Sequence, residues 1–210
     1  MRPSRSHCPR CTRPLGACIC GWITPVASLA GLLILQHPME AANAKGSARL
    51  LHLSVAGSAL TAGEAFDAVA LHAMLYGDGK VPLLLYPDTP GDQSLGMPAP
   101  PRLATALLAD PAALRLVVLD GTWRKSRKML YQNALLQALP RLPLTQMPAS
   151  RYLIRKAHAP NQLSTLEACC YALGQLHGDG LAFEPLLDAF DQFVAHFQRT
   201  SGQLTTLPGQ

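Results

Sequence analysis

Three short apolar runs set the pattern of the chain. Leu32-Leu33-Ile34-Leu35 stops at Gln36-His37-Pro38, Val81 to Pro87 is cut off by proline, and Leu114 to Leu119 runs into Asp120-Gly121-Thr122-Trp123. Each has strand length and little polar alternation, which predicts strands buried on both faces. Between them the apolar period lengthens. Ala48, Leu51 and Val55 share one face of a helix predicted over 41–55, and a basic amphipathic helix is predicted from Trp123 to about Leu139. Leu103 to Leu108 reads as a further helix after the Pro98 to Pro101 loop. Ser164-Thr165-Leu166-Glu167 is a capping-box pattern opening a helix to Leu176, and Phe183 to Phe197 reads as the last helix. The segment 56–63 contains glycines and carries no period, and 64–76 is ambiguous. Short strands are expected near Leu142 to Leu144 and Tyr152 to Ile154. Strands alternating with helices predict an α/β domain with a mostly parallel sheet.

The chain has 210 residues, half of them apolar, which is enough for one well-buried core and excludes global disorder. The longest apolar run, Val26 to Leu35, contains Ser28 and Gly31 and is far short of the ~20 residues that cross a bilayer. No membrane span is expected. The basic N-terminus leads into Cys, Pro and Arg rather than an apolar stretch, so a secretion signal is not expected and a cytosolic location is. Net charge is +5, and the distribution says more than the total. Arg2 to Arg13 and Gly121 to Pro160 are rich in Arg and Lys and contain no acid. Such stretches suit a polyanion, most simply nucleic acid; a solvated basic face without a partner is the competing explanation.

Four of the six cysteines form Cys8-Pro9-Arg10-Cys11 and Cys18-Ile19-Cys20, with Pro14 and Gly16 in the turn between. This spacing lets four thiolates converge on one tetrahedral ion, a structural zinc with no open coordination position. Disulfides or a redox-active thiol pair are the alternatives. His7 adjoins the first cysteine and offers a substitute ligand. Cys169 and Cys170 lie in an apolar helical segment and read as core thiols.

Ligands of open parallel sheets gather beyond the carboxyl ends of the strands, where helix N-termini converge. Gln36 to Glu40, Leu85-Tyr86-Pro87 and Asp120 to Trp123 all fall there. The last combines a carboxylate, a glycine, a hydroxyl and a large aromatic in one turn; alternatively, Asp120 or Thr122 is only a helix cap and Trp123 a core anchor. The sequence has no glycine-rich phosphate cradle and no Ser-His-Asp or Cys-His constellation.

In order along the chain, the CxxC and CxC pairs, His37-Pro38-Met39-Glu40, the Leu-Tyr-Pro strand end, Leu119 to Trp123, Arg151-Tyr152-Leu153-Ile154-Arg155 and Ser164 to Ala168 resemble the DTW-domain family of tRNA-uridine aminocarboxypropyltransferases. One departure is Ala44 to Arg49, where the family pattern is rich in threonine. The resemblance implies a SPOUT-like α/β fold with a knotted C-terminal region, a zinc knuckle over 1–22, a transferase domain over 23–199 and a flexible tail over 200–210. It also implies S-adenosylmethionine as donor and tRNA as substrate; no obligate protein partner is inferred. The 3-amino-3-carboxypropyl group would move to a uridine imide nitrogen, releasing methylthioadenosine.

In that scheme Asp120 is the base or orienting carboxylate. Leu85, Pro87, Leu119, Thr122, Trp123, Ser164, Thr165 and Glu167 are expected around the donor, with Trp123 giving an apolar or cation–π surface. A capping box also accounts for Ser164 and Glu167. Arg124, Lys125, Arg151, Arg155 and Lys156 are expected on tRNA phosphates, or in part on the donor carboxylate, and His37 and Glu40 are candidates for shaping the pocket. A SPOUT-type RNA methyltransferase and a non-catalytic zinc-knuckle RNA-binding protein are the rival functions.

Overall fold

A computed structural model describes residues 6–41, 43, 46–88, 98–145 and 163–203. Among the described residues five parallel strands form one sheet in the order β2-β1-β4-β3-β5: β1 (Gly31–Gln36), β2 (Ala59–Ala62), β3 (Val81–Leu85), β4 (Leu114–Asp120) and β5 (Arg141–Leu142). The three apolar runs are β1, β3 and β4. β1 and β4 pair centrally, so both faces need cover, and alternate residues divide between two layers. Leu32, Ile34, Leu116 and Val118 pack with α2 (Ala48–Ser54), α6 (Thr165–His177) and α7 (Glu184–Gln203). Leu33, Leu35, Val117 and Leu119 pack with α3 (Ala68–Tyr76), α4 (Trp123–Gln132) and α5 (Ala134–Gln137).

The structure corrects several boundaries. The helix expected over 41–55 is confined to α2, which keeps Ala48 and Leu51 fully buried, and a short helix α1 (Pro38–Ala41) precedes it. The segment 56–63 contains strand β2, whose half-exposed residues lie at the sheet edge and give no apolar run. The 103–108 helix is a 3-10 turn over Thr105–Ala109. The long basic helix ends at Gln132 because Asn133 is extended (φ −125°, ψ 93°) and its side-chain Nδ2 donates to the Glu64 and Met129 carbonyls, tying the break to the α3 side. Helix α7 continues to Gln203, into the segment expected to be tail. Tyr152 to Ile154 lie outside the described residues.

The cysteine segment is part of the main core. Cys8, Cys11 and Ile19 are buried in the α2–α6–α7 layer, and the Trp22 ring meets Phe193 of α7 edge-on at 5.4 Å. Among the described residues no helix is long and apolar enough to cross a membrane.

Candidate active site and metal centre

Parallel pairing in register puts Gln36 beside Asp120 at the carboxyl ends of β1 and β4. Both are buried. Gln36 Nε2 donates to Asp120 Oδ2 at 2.8 Å, the Thr165 hydroxyl donates to Oδ1 at 2.6 Å, and the His37 amide donates to the Asp120 carbonyl at 2.9 Å. Two strands and the first turn of α6 therefore fix one carboxylate. Of the two sequence candidates for the α4 cap, the structure selects Thr122, whose Oγ1 accepts from the Lys125 amide at 3.4 Å. Asp120 is thereby freed from a capping role and is turned toward α6. Gly121 permits this sharp turn: a Cβ there would lie 3.1 Å from Lys125 Cβ and 3.6 Å from His37 Cβ.

At α6, the Ser164 hydroxyl accepts from the Glu167 amide at 3.2 Å and Glu167 Oε2 accepts from the Ser164 amide at 2.7 Å, a complete capping box. Glu167 is fully buried. The Ser47 hydroxyl at the start of α2 accepts from the Leu166 amide at 3.3 Å. These bonds seat the turn that delivers Thr165 to Asp120. Gly178, at φ 67°, closes the far end of α6 in the left-handed conformation that favours glycine.

On the other side of the turn Trp123 is 56% exposed, so it is no core anchor. Its ring stands edge-on to Tyr86 at 5.8 Å, and the Tyr86 ring lies 5.2 Å from the Arg141 guanidinium carbon. Burial pushes the Tyr86 phenol up. Leu85 is half-buried and Pro87 exposed at the end of β3, whereas Leu119 is buried in the α3–α4 layer. Sequence reasoning reached the Asp120 turn and Thr165 but missed Gln36 as the partner of Asp120, and Arg141. Gln36 carries a signal, a polar residue ending an apolar strand; Arg141 looks like any other residue of its basic stretch.

Part of the basic face is paired with acids. Lys125 Nζ pairs with Glu40 Oε1 at 2.7 Å, joining α4 to α1. Glu64 bridges Lys128 at 2.5 Å and His37 Nε2 at 2.7 Å, and the Lys128 and His37 contacts hold its carboxyl below the usual range. His37 and Glu40 thus organise the rim. Arg124 is exposed. Arg151, Arg155 and Lys156 lie outside the described residues.

The four N-terminal sulfurs lie within 4.8 Å of one another, with Cys8–Cys20 at 3.6 Å and Cys11–Cys18 at 3.8 Å. None is disulfide-bonded. Tetrahedral bonds of about 2.3 Å place sulfurs about 3.8 Å apart, so the donor set fits a zinc-sized ion. The amides of Cys11 and Arg10 pull the Cys8 thiol down to about 6, while burial and the neighbouring sulfurs push Cys20 up to about 12. Against burial, the Ile19 and Arg13 amides draw the Cys11 thiol down as well, and a central cation would favour the thiolate form throughout the cluster. Cys169 and Cys170 are core thiols, pushed up by burial. Arg49 ties the cluster to α2, donating to the Cys11 carbonyl at 3.3 Å and Thr12 Oγ1 at 2.8 Å. Between the cysteine segment and the β1–β2 edge opens a cleft of about 1080 Å³ lined by His7, Arg13, Arg49, Leu60 and Gln36.

The DTW domain family model matches residues 5–198, taking in the cysteine cluster, the Asp120 turn and α6. The chain belongs to the DTW-domain family. Curated proteins named tRNA-uridine aminocarboxypropyltransferase 2 are similar to this DTW-domain chain. The mouse (Mus musculus) protein is 28% identical over 94% of the chain and 65% of its own length, and that of Macaca fascicularis 27% over the same shares. The Drosophila melanogaster protein is 29% identical over 82% of the chain and 67% of its own length. The chain thus spans about two thirds of the length of these relatives. No solved structure matches it.

Proposed function

We propose that this DTW-domain chain transfers the 3-amino-3-carboxypropyl group of S-adenosylmethionine to the imide nitrogen of a tRNA uridine. The observation that carries the reading is the buried Asp120 carboxylate, held by Gln36 and Thr165 at the sheet edge one turn from the exposed Trp123. The activity named for its relatives agrees with that chemistry. A uridine imide attacks only as it loses its proton, and Asp120 accepts it. The nitrogen forms a bond to the carbon beside the sulfonium, the carbon–sulfur pair leaves with sulfur as neutral methylthioadenosine, and the proton passes from Asp120 to water. A sulfonium activates all its carbon substituents, so the group that moves is the one held in line at near-attack distance.

In this reading Trp123 gives its free face to the sulfonium. Leu85, Pro87 and Thr122 border the donor, and Leu119 backs them from the core. Ser164 and Glu167 fix the turn that carries Thr165. The cleft beside Gln36 admits the uridine, while Arg13, Arg49, Arg124, Arg151, Arg155 and Lys156 meet phosphates, making tRNA binding fall with salt. The four cysteines hold a structural zinc, and the C-terminal region is SPOUT-like and knotted.

The test is to incubate protein, labelled donor and unmodified tRNA and to identify both products by mass spectrometry. Methylthioadenosine and aminocarboxypropyluridine in equal amounts are expected. Adenosylhomocysteine with a methylated nucleoside would make the protein an RNA methyltransferase, and tRNA binding without either by-product would make it a non-catalytic binder.

A further inference from the structure

Arg141 is an expensive residue in this fold. It is only 7% exposed, and its Nη1 is the one buried side-chain nitrogen or oxygen among the described residues with no hydrogen-bond partner. It has no carboxylate within ion-pair distance among the described residues; its neighbours are the Tyr86 ring and, through space, Asp88. A buried guanidinium without an ion-pair partner among the described residues is unfavourable, so a protein that keeps one has a use for it. Arg141 opens β5 and pairs in register with Leu84, two residues before Tyr86, whose ring bridges Arg141 and Trp123.

We propose that Arg141 is the anchor for the α-carboxylate of the donor's amino-acid arm. The assignment rests on the transferase reading above and adds a carboxylate subsite to it. Guanidinium presents a planar fork that matches a carboxylate. Strand order supplies the layout: the cleft lies at β2 and β1, Asp120 ends β4, Tyr86 follows β3, and Arg141 begins β5. Through Leu84, Arg141 is level with Val117, three residues before Asp120, so with strands about 4.8 Å apart the two residues are roughly 14 Å from each other, Arg141 on the α3–α4 face of the sheet and Asp120 on the α6 face. The Tyr86 and Trp123 rings lead from the guanidinium to the Asp120 turn, and the four-carbon arm follows them around the strand ends, with an imide hydrogen bond to Asp120 and a near-attack gap of about 3 Å at its other end. Anchoring the carboxylate there lays the arm, rather than the methyl group, across the front of the base. Nη1 is sealed in the ligand-free arrangement, so binding includes a side-chain shift at Tyr86 that opens it.

Calorimetric titrations decide the matter. Wild-type protein is expected to bind S-adenosylmethionine about 10-fold or more tighter than either methylthioadenosine or the decarboxylated donor, both of which lack the carboxylate. Arg141→Gln is expected to lose about 10- to 100-fold for S-adenosylmethionine and nothing for methylthioadenosine, with Arg141→Lys intermediate. Equal losses for both ligands would make Arg141 a prop for Tyr86 and overturn the proposal. So would unchanged donor affinity with weakened tRNA binding, which would make it a phosphate contact. A decarboxylated donor that binds wild type as well as the parent does overturns it without any variant. If wild type binds no adenosyl ligand, the transferase reading itself falls.

Discussion

The chemistry of this chain concentrates on a carboxylate whose position depends on residues far apart in sequence. Asp120 touches Gln36 and Thr165, which lie 84 and 45 positions away. Its neighbours Gly121 and Thr122 make the turn and the cap, so α4 stands without it. Asp120→Asn keeps the shape and removes the proton acceptor. Turnover is expected to fall by about 100-fold or more, the range of a lost general base, with donor affinity and melting temperature close to wild type. Single-turnover kinetics beside a donor titration measures both; unchanged turnover would reduce Asp120 to a strut between β4 and α6. The same pair of measurements on Thr165→Val separates positioning from proton transfer. A hydroxyl that only orients the carboxylate is expected to cost less turnover than Asp120→Asn and to leave the sulfonium affinity alone.

At the scale of elements, what could be read in advance follows from how local the determining physics is. The runs at 32–35, 81–85 and 114–119 announce β1, β3 and β4 because a strand covered on both faces must be apolar throughout. The Ser164 and Glu167 capping box is equally local and forms as expected. Strand β2 escapes notice because an edge strand with half-exposed residues carries no contiguous apolar signal, and the break at Asn133 depends on Glu64, a distant partner. The site divides the same way: the Asp120 turn is compact in sequence, whereas the Gln36 bond to it and the burial of Arg141 exist only once β1, β4, β3 and β5 are aligned. The cysteine segment is legible from spacing, but not its burial in the main core. That burial carries a prediction. Because Cys8, Cys11 and Ile19 pack with α2, α6 and α7, losing the metal is expected to lower the single global melting transition rather than release an independent module. Elemental analysis is expected to give one zinc per chain, and Cys11→Ser or chelation to lower the melting temperature by several degrees or more. A separate low-temperature transition would show that the segment melts alone, and less than half an equivalent of metal would remove the zinc.

The whole molecule is closed by a contact between its beginning and the corner of its last two helices, and this contact is sensitive to acid. His177, in the last turn of α6, accepts through Nε2 from the Leu29 amide at 3.0 Å, just before β1, and its ring meets Phe183 edge-on at 5.3 Å. A nitrogen that accepts from an amide must be unprotonated. Burial pushes His177 below its ordinary 6.5, with Asp179 pulling the other way. The unfolded chain therefore binds more protons than the folded one between the folded value and 6.5, and stability rises with pH across that window. The contribution is complete above 6.5, is lost as pH falls through the folded value, and is flat below it. His52, lowered by burial and then by Arg49, acts in the same direction from α2. Denaturant melts of wild type and His177→Gln at about pH 7.5 and about pH 5 isolate the first of these, since Gln still accepts from the amide but does not titrate. Wild type is expected to lose more stability than the variant between the two conditions. Acid release of the metal affects both proteins alike, so it cancels in the difference; equal losses would mean that the α6–α7 corner opens to solvent before His177 takes up its proton.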